Sequence, residues 1–240
     1  ALSWAQDGLE RFGEDPVLLA VLGHTYAALG LWDEAGGAFE KAYHLIPHDD
    51  YVLERVLMFH LMEGDLSALD DKFQQRMKAE TISVTTRRIL LRWAMIRDLL
   101  AGAPDRVIAQ ATPDVEQNLR CNAFGAPGPR LYLAYALRLS GQEDEATSLL
   151  SECLDDVARI QAQGGTYPRT TYRMALTMAL AGDLDSAAEH LQQAVDQGWR
   201  AYWDASTDPL WTPYRHQQPF TDILEGVRLD VEKMTAETAP

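Results

Sequence analysis

The side chains best suited to move a proton or hold a metal are the histidines His24, His44, His48, His60, His190 and His216. Zinc chemistry sets histidines at helical or turn spacing beside a carboxylate or thiolate, and no H-E-x-x-H run occurs. Glu189-His190 and Asp49-Asp50 are sequence neighbours, so they diverge to different helix faces or lie in turns rather than forming an acid–base pair. The nucleophile elbow G-x-S-x-G, the P-loop and the dinucleotide fingerprint are absent. Cys121 and Cys153 form neither a CxxC pair nor a zinc-type spacing with histidine. They indicate no disulfide framework and no metal site, and a single bond between them is left open. The chain therefore reads as non-enzymatic, with no catalytic residues, no metal and no cofactor.

What remains is recognition chemistry. Residues 76–106 hold seven basic side chains (Arg76, Lys78, Arg87, Arg88, Arg92, Arg97, Arg106) against Glu80, Asp98 and Asp105, in a chain whose formal charge is -15. Guanidinium pairs bidentately with carboxylate, so such a strip suits an acidic segment. A solvated face of intramolecular ion pairs is the plainer alternative. The strongly acidic whole disfavours nucleic acid and anionic membrane, both of which need basic surface, and leaves protein or peptide as the partner class. Apolar runs such as "ILLRWAMIRDLL" are broken by arginine short of the roughly 20 residues of a membrane span, and no signal-peptide pattern opens the chain. Cysteine scarcity sets cytoplasm as the default location, with extracytoplasmic placement left open.

The elements that must position these groups repeat. Glycines ending one apolar helical run and preceding another fall at Gly30, Gly64, Gly102, Gly141 and Gly182, with gaps of 34, 38, 39 and 41 residues. That is a drifting helix-turn-helix period. Asp15-Pro16 is a helix start, with aspartate as cap and proline at the first helical position. Pro113 should break or kink the second helix of the third unit. Residues 121–130, "CNAFGAPGPR", read as a loop.

Residues 16–49 resemble a tetratricopeptide repeat. Leu22, Gly23 and Tyr26 match its L-G-x-x-Y element, and Ala35, Phe39, Ala42 and Pro47 follow at the expected offsets, with Leu19 in place of the usual tryptophan. Gly23, Ala35 and Ala42 would let two helices approach, with Tyr26 and Phe39 filling the space between them. Later units match less well. Residues 1–13 read as the second helix of a preceding repeat, which predicts that the chain is a piece of a longer protein. The expected organisation is an array over 1–198, with the partial repeat and about five helix pairs, followed by a capping segment, final helix at about 218–235 and short tail over 199–240.

The resemblance implies an all-α, right-handed superhelical solenoid whose first helices line a concave groove for peptides or partner helices. Counted from the repeat starts, it places His24, Tyr51, Arg92, Tyr135, Arg138, Arg169 and Tyr172 on that groove. Family members that grip a terminal carboxylate carry a lysine, arginine and asparagine clamp there, which this chain lacks. The aromatic block Trp199, Tyr202, Trp203, Trp211, Tyr214 and Phe220 is expected to cap the array, a ligand platform being the alternative. The tail "GWRAYWDASTDPLWTPYRHQQPF" also resembles the end of tetratricopeptide regions in bacterial signalling proteins. The expected function is thus a protein-interaction scaffold in the regulatory region of such a protein, the alternative being a self-associating module that dimerises through its open repeat end.

Overall fold

The computed structural model describes residues 2–78, 82–111, 121–123, 126–164 and 167–238. Pro113 lies outside them. The fold is all-α apart from a two-residue antiparallel pairing, β1 (Asn122–Ala123) with β2 (Ala126–Pro127). The helices form two compact units, one of Ala1–Ile89, Ala201–Thr207 and Arg228–Pro240, the other of Leu90–Arg200 and Asp208–Val227. Among the described residues, no helix is long and apolar enough to cross a membrane.

The first unit contains α1 (Leu2–Phe12), α2 (Pro16–Ala28), α3 (Trp32–Leu45), α4 (Asp50–Glu63), α5 (Leu66–Met77) and the start of α6 (Val84–Leu100). Aspartates start three of these helices. Asp15 accepts from the amide of Leu18 at 2.9 Å, Asp49 from those of Tyr51 and Val52, and Asp65 from that of Ala68, satisfying donors that helix geometry leaves open. Gly64 ends α4 at φ 81°, a left-handed conformation that a side chain resists. The α2–α3 pair is close because Gly23 has no side chain. A Cβ there would lie 3.0 Å from the ring of Phe39, which is itself 1% exposed and 5.2 Å from the ring of Phe59. Tyr26 is half-buried, its hydroxyl 3.4 Å from Gln6 of α1. At the far end, Asp50 accepts from the hydroxyls of Ser83 and Thr86, and Nη2 of the buried Arg76 donates to Thr86 at 3.4 Å.

The second unit contains the rest of α6, α7 (Pro104–Gln110), the β pairing, α8 (Pro129–Leu139), α9 (Glu143–Ala162), α10 (Pro168–Ala181) and α11 (Leu184–Asp196). The segment expected as a loop to residue 130 is shorter, since α8 starts at Pro129, where proline suits a first helical position. Glu143, Asp144 and Glu145 open α9, where negative charge faces the positive helix end. The α10–α11 pair closes on small residues, with Ala175, Ala187 and Ala194 fully buried beside Leu191, which alone contributes about 2 kcal/mol by burial. Cys121 and Cys153 form a disulfide, with Cα atoms 5.3 Å apart, joining the entrance of the β pairing to α9.

Residues after 200 divide between the units. α12 (Tyr202–Thr207) lies in the first, and a 3-10 turn (Pro209–Trp211) lies in the second. The final helix, α13 (Phe220–Thr238), begins two residues later and ends three residues later than the sequence suggests, and it supplies residues to both.

Candidate partner-binding surface

The first helix of each pair carries the side chains that sequence spacing assigns to a groove. In the first unit, His24 on α2 is half-buried, and Tyr51 opens α4 at 38% exposure with the guanidinium of Arg55 5.0 Å over its ring. The neighbouring positions Met58, Leu61 and Met62 are all under 9% exposed, so these three side chains are packed.

In the second unit, two of the assigned residues are enclosed. Arg92 is 4% exposed, its guanidinium 4.7 Å over the ring of Trp93. Tyr172, on α10, is 5% exposed. It stacks on Trp199 at 4.4 Å and accepts a 2.7 Å hydrogen bond from the indole N–H of Trp211. Tyr172 is covered by the chain after α11, whose irregular turns lie against α10 and α8. Tyr132 of α8 likewise donates to Asp208 at 3.1 Å, and its phenol is held well above the usual range by burial and then by that carboxylate.

Tyr135, Arg138 and Arg169 keep partial access to solvent. Arg138 is fixed from two sides. It donates to the carbonyl of Leu180 and, from Nε and Nη2, to Glu143 Oε1 at 2.9 and 2.7 Å. Its side chain stays 28% exposed and that of Glu143 58%. Two residues that spacing did not single out as arginine partners complete this surface. Burial raises the phenol of Tyr214, with the nearby guanidinium of Arg138 opposing that shift; burial raises the phenol of Tyr135, with Arg215 opposing. Arg215 is held by the carbonyl of Asp208 at 3.1 Å and the hydroxyl of Thr212 at 2.8 Å. Tyr214 and Arg215 sit on irregular turns, where helical periodicity carries no signal; Tyr214 was expected within the capping aromatic block, and sequence reasoning missed Arg215. The four side chains present phenol rings beside two guanidiniums, each of which donates to a backbone carbonyl, an arrangement that suits carboxylate recognition. Among the described residues, no group of three or more histidine, cysteine, aspartate or glutamate side chains could hold a metal ion.

Residues 168–193, which are α10 and most of α11, match the tetratricopeptide repeat family model. The α10–α11 pair is thus similar to a tetratricopeptide repeat. No curated protein sequence matches the chain. Among solved structures, one similar chain is YrrB, described as a tetratricopeptide-repeat protein with an unusual peptide-binding site. It is 17% identical, with 82% of this chain and 94% of that chain covered and a TM-score of 0.44.

Proposed function

We propose that this chain is a protein-interaction module, and that the second unit receives an acidic segment of its partner on Tyr135, Arg138, Tyr214 and Arg215. The observation that carries the reading is the anchored guanidinium of Arg138, held by Leu180 and shared with an exposed carboxylate, Glu143, that an incoming carboxylate can replace. Tyrosine beside it adds contact area at low entropic cost. Arg169 extends the basic character along α10. Arg92 and Tyr172 support the surface from inside. The tail's likeness to bacterial signalling proteins favours a regulatory region as the setting.

A capped peptide of alternating glutamate and glycine tests this by calorimetry. Arg138→Glu is expected to weaken its binding about tenfold or more. Glu143→Gln, which releases Arg138, is expected to tighten binding a few-fold. Equal affinity across the three proteins would overturn the assignment of this surface. Raised salt should weaken binding to the unaltered protein, because the contacts are charged.

Self-association is the second reading, favoured by Trp4 at 63% and Phe12 at 77% exposure on α1. Large aromatics so open to water on one short helix are a common mark of an interface. Light scattering over a concentration series should then show a dimer that Trp4→Asp with Phe12→Asp abolishes. A monomer at every concentration removes this reading and leaves the first untouched.

A further inference from the structure

The first unit contains a cavity of about 840 Å³ bounded by α3, α4 and α5. It lies away from the groove positions, on the side of α4 that presents Phe59, His60 and Glu63. Its inner wall is aromatic, with Trp32 and Phe59 at a centroid distance of 6.5 Å and Phe39 beside them. Its surround is acidic, with Asp33, Glu40, Glu63, Asp65 and Asp71 against Lys72 alone among lysines and arginines. Asp65 is committed to its helix cap. The carboxylates of Asp33, Glu40 and Asp71 make no hydrogen bond or ion pair among the described residues.

Three further features point to what this space accepts. The ammonium of Lys72 already sits over the Tyr43 ring at 4.5 Å, so a cation rests on an aromatic wall of the cavity. His60 Nδ1 is buried without a hydrogen-bond partner, with Glu63 Oε2 3.8 Å away. Burial lowers the pKa of that imidazole, more than Glu63 raises it, which favours the neutral ring, and a neutral imidazole has one nitrogen that accepts. Third, α3 carries Gly36-Gly37 in its interior, where glycine is the least favoured residue after proline. A side chain at Gly36 would meet Phe59 at ordinary contact distance, but one at Gly37 would meet nothing within 4 Å. Packing within the unit therefore gives no reason for Gly37, whereas a bare backbone keeps the cavity open.

We propose that this cavity is a second docking site, taking a segment of a partner protein that carries arginine or lysine side chains, with their cationic heads among Asp33, Glu40 and Asp71 and their stems against Trp32 and Phe59. The chemistry is opposite in sign to that of the acidic segment assigned to the second unit, so one module could hold two partners, or two stretches of one partner, without competition. Lys72 is the resident stand-in that an incoming basic group must displace or accompany.

The test uses the full chain and a capped heptapeptide of alternating glycine and arginine, followed by calorimetry at low and high salt. Binding is expected, weakened by salt, and reduced about tenfold by the combined substitution Asp33→Asn, Glu40→Gln, Asp71→Asn, three exposed charges lost. Gly37→Leu, which fills the opening at an exposed helix position, should weaken it through shape alone, and circular dichroism confirms that each variant stays folded. Lys72→Met should act in the other direction and tighten binding, an effect that general damage to the unit does not produce. Asp144→Asn with Glu145→Gln removes two acidic charges from the other unit and should change nothing. No binding to the unaltered protein, equal loss in that last control, or a triple variant that binds as well as the parent would each overturn the proposal. The glutamate–glycine peptide reports on the other surface, so either assignment can fail alone.

Discussion

Trp211→Ala is expected to lower stability by about 3–5 kcal/mol. The indole is fully buried. Its ring centroid lies 5.9 Å from Tyr172, 5.6 Å from Phe220 and 6.3 Å from Tyr214, the last edge-on. Truncation removes the largest side chain of that cluster and leaves a cavity that rings on three different elements cannot all move to fill. It also removes the N–H that donates to the hydroxyl of Tyr172 at 2.7 Å. Trp211→Phe separates the two contributions. It keeps most of the volume, loses the donor, and should cost about 1–2 kcal/mol. Urea denaturation followed by far-ultraviolet circular dichroism measures both. A midpoint unchanged in Trp211→Ala would mean that the aromatic block does not fasten the segment after α11, and the expectation of a capping role would fall with it.

The helix pairs were legible because their signals are local. Asp15-Pro16 starts α2, Gly30 and Gly64 stop helices at positive φ, and Gly23 facing Phe39 follows from one side chain's absence in a helix–helix contact. Burial on the first-helix face was not legible. Counting residues around a helix says which side chains share a face, and nothing about what else competes to cover it. Tyr172 is covered by Trp199 and Trp211, which come from a segment without helical period, so no repeat arithmetic could foresee the contact. Arg92 illustrates the same limit, since its position on α6 was countable and its stacking on Trp93 was not. Tyr214 and Arg215 reach the surface around Arg138 from turns of that same segment. The cavity between α3 and α5 was out of reach for another reason. Its outline depends on what Gly36 and Gly37 lack, and its charge is gathered from three helices that are separate in sequence.

Reducing the Cys121–Cys153 bond is expected to cost roughly 3–4 kcal/mol, and the magnitude follows from chain length. The bond closes a loop between residues 32 apart in sequence. In the chain-entropy account, a closed loop restricts the unfolded chain far more than the folded one, and the restriction grows slowly with loop size. The bond is also shielded. Cys153 is fully buried and Cys121 is 8% exposed, and the carbonyl of Cys121 accepts from the amide of Gly128 at 3.0 Å, so reductant must wait for local opening. A thiol-labelling assay on the denatured, unreduced protein should find no free thiol. After reduction it should find two, and the denaturation midpoint should fall. Cys121→Ser with Cys153→Ser should reproduce the lower midpoint and remove the dependence on reductant. Two reactive thiols before reduction would show that the bond does not form. A bonded protein whose stability ignores reduction would mean that the helices already restrict the unfolded chain between these positions. In a reducing compartment the second unit works without this stabilisation, and its aromatic cluster must then hold Tyr135, Arg138, Tyr214 and Arg215 in place unaided.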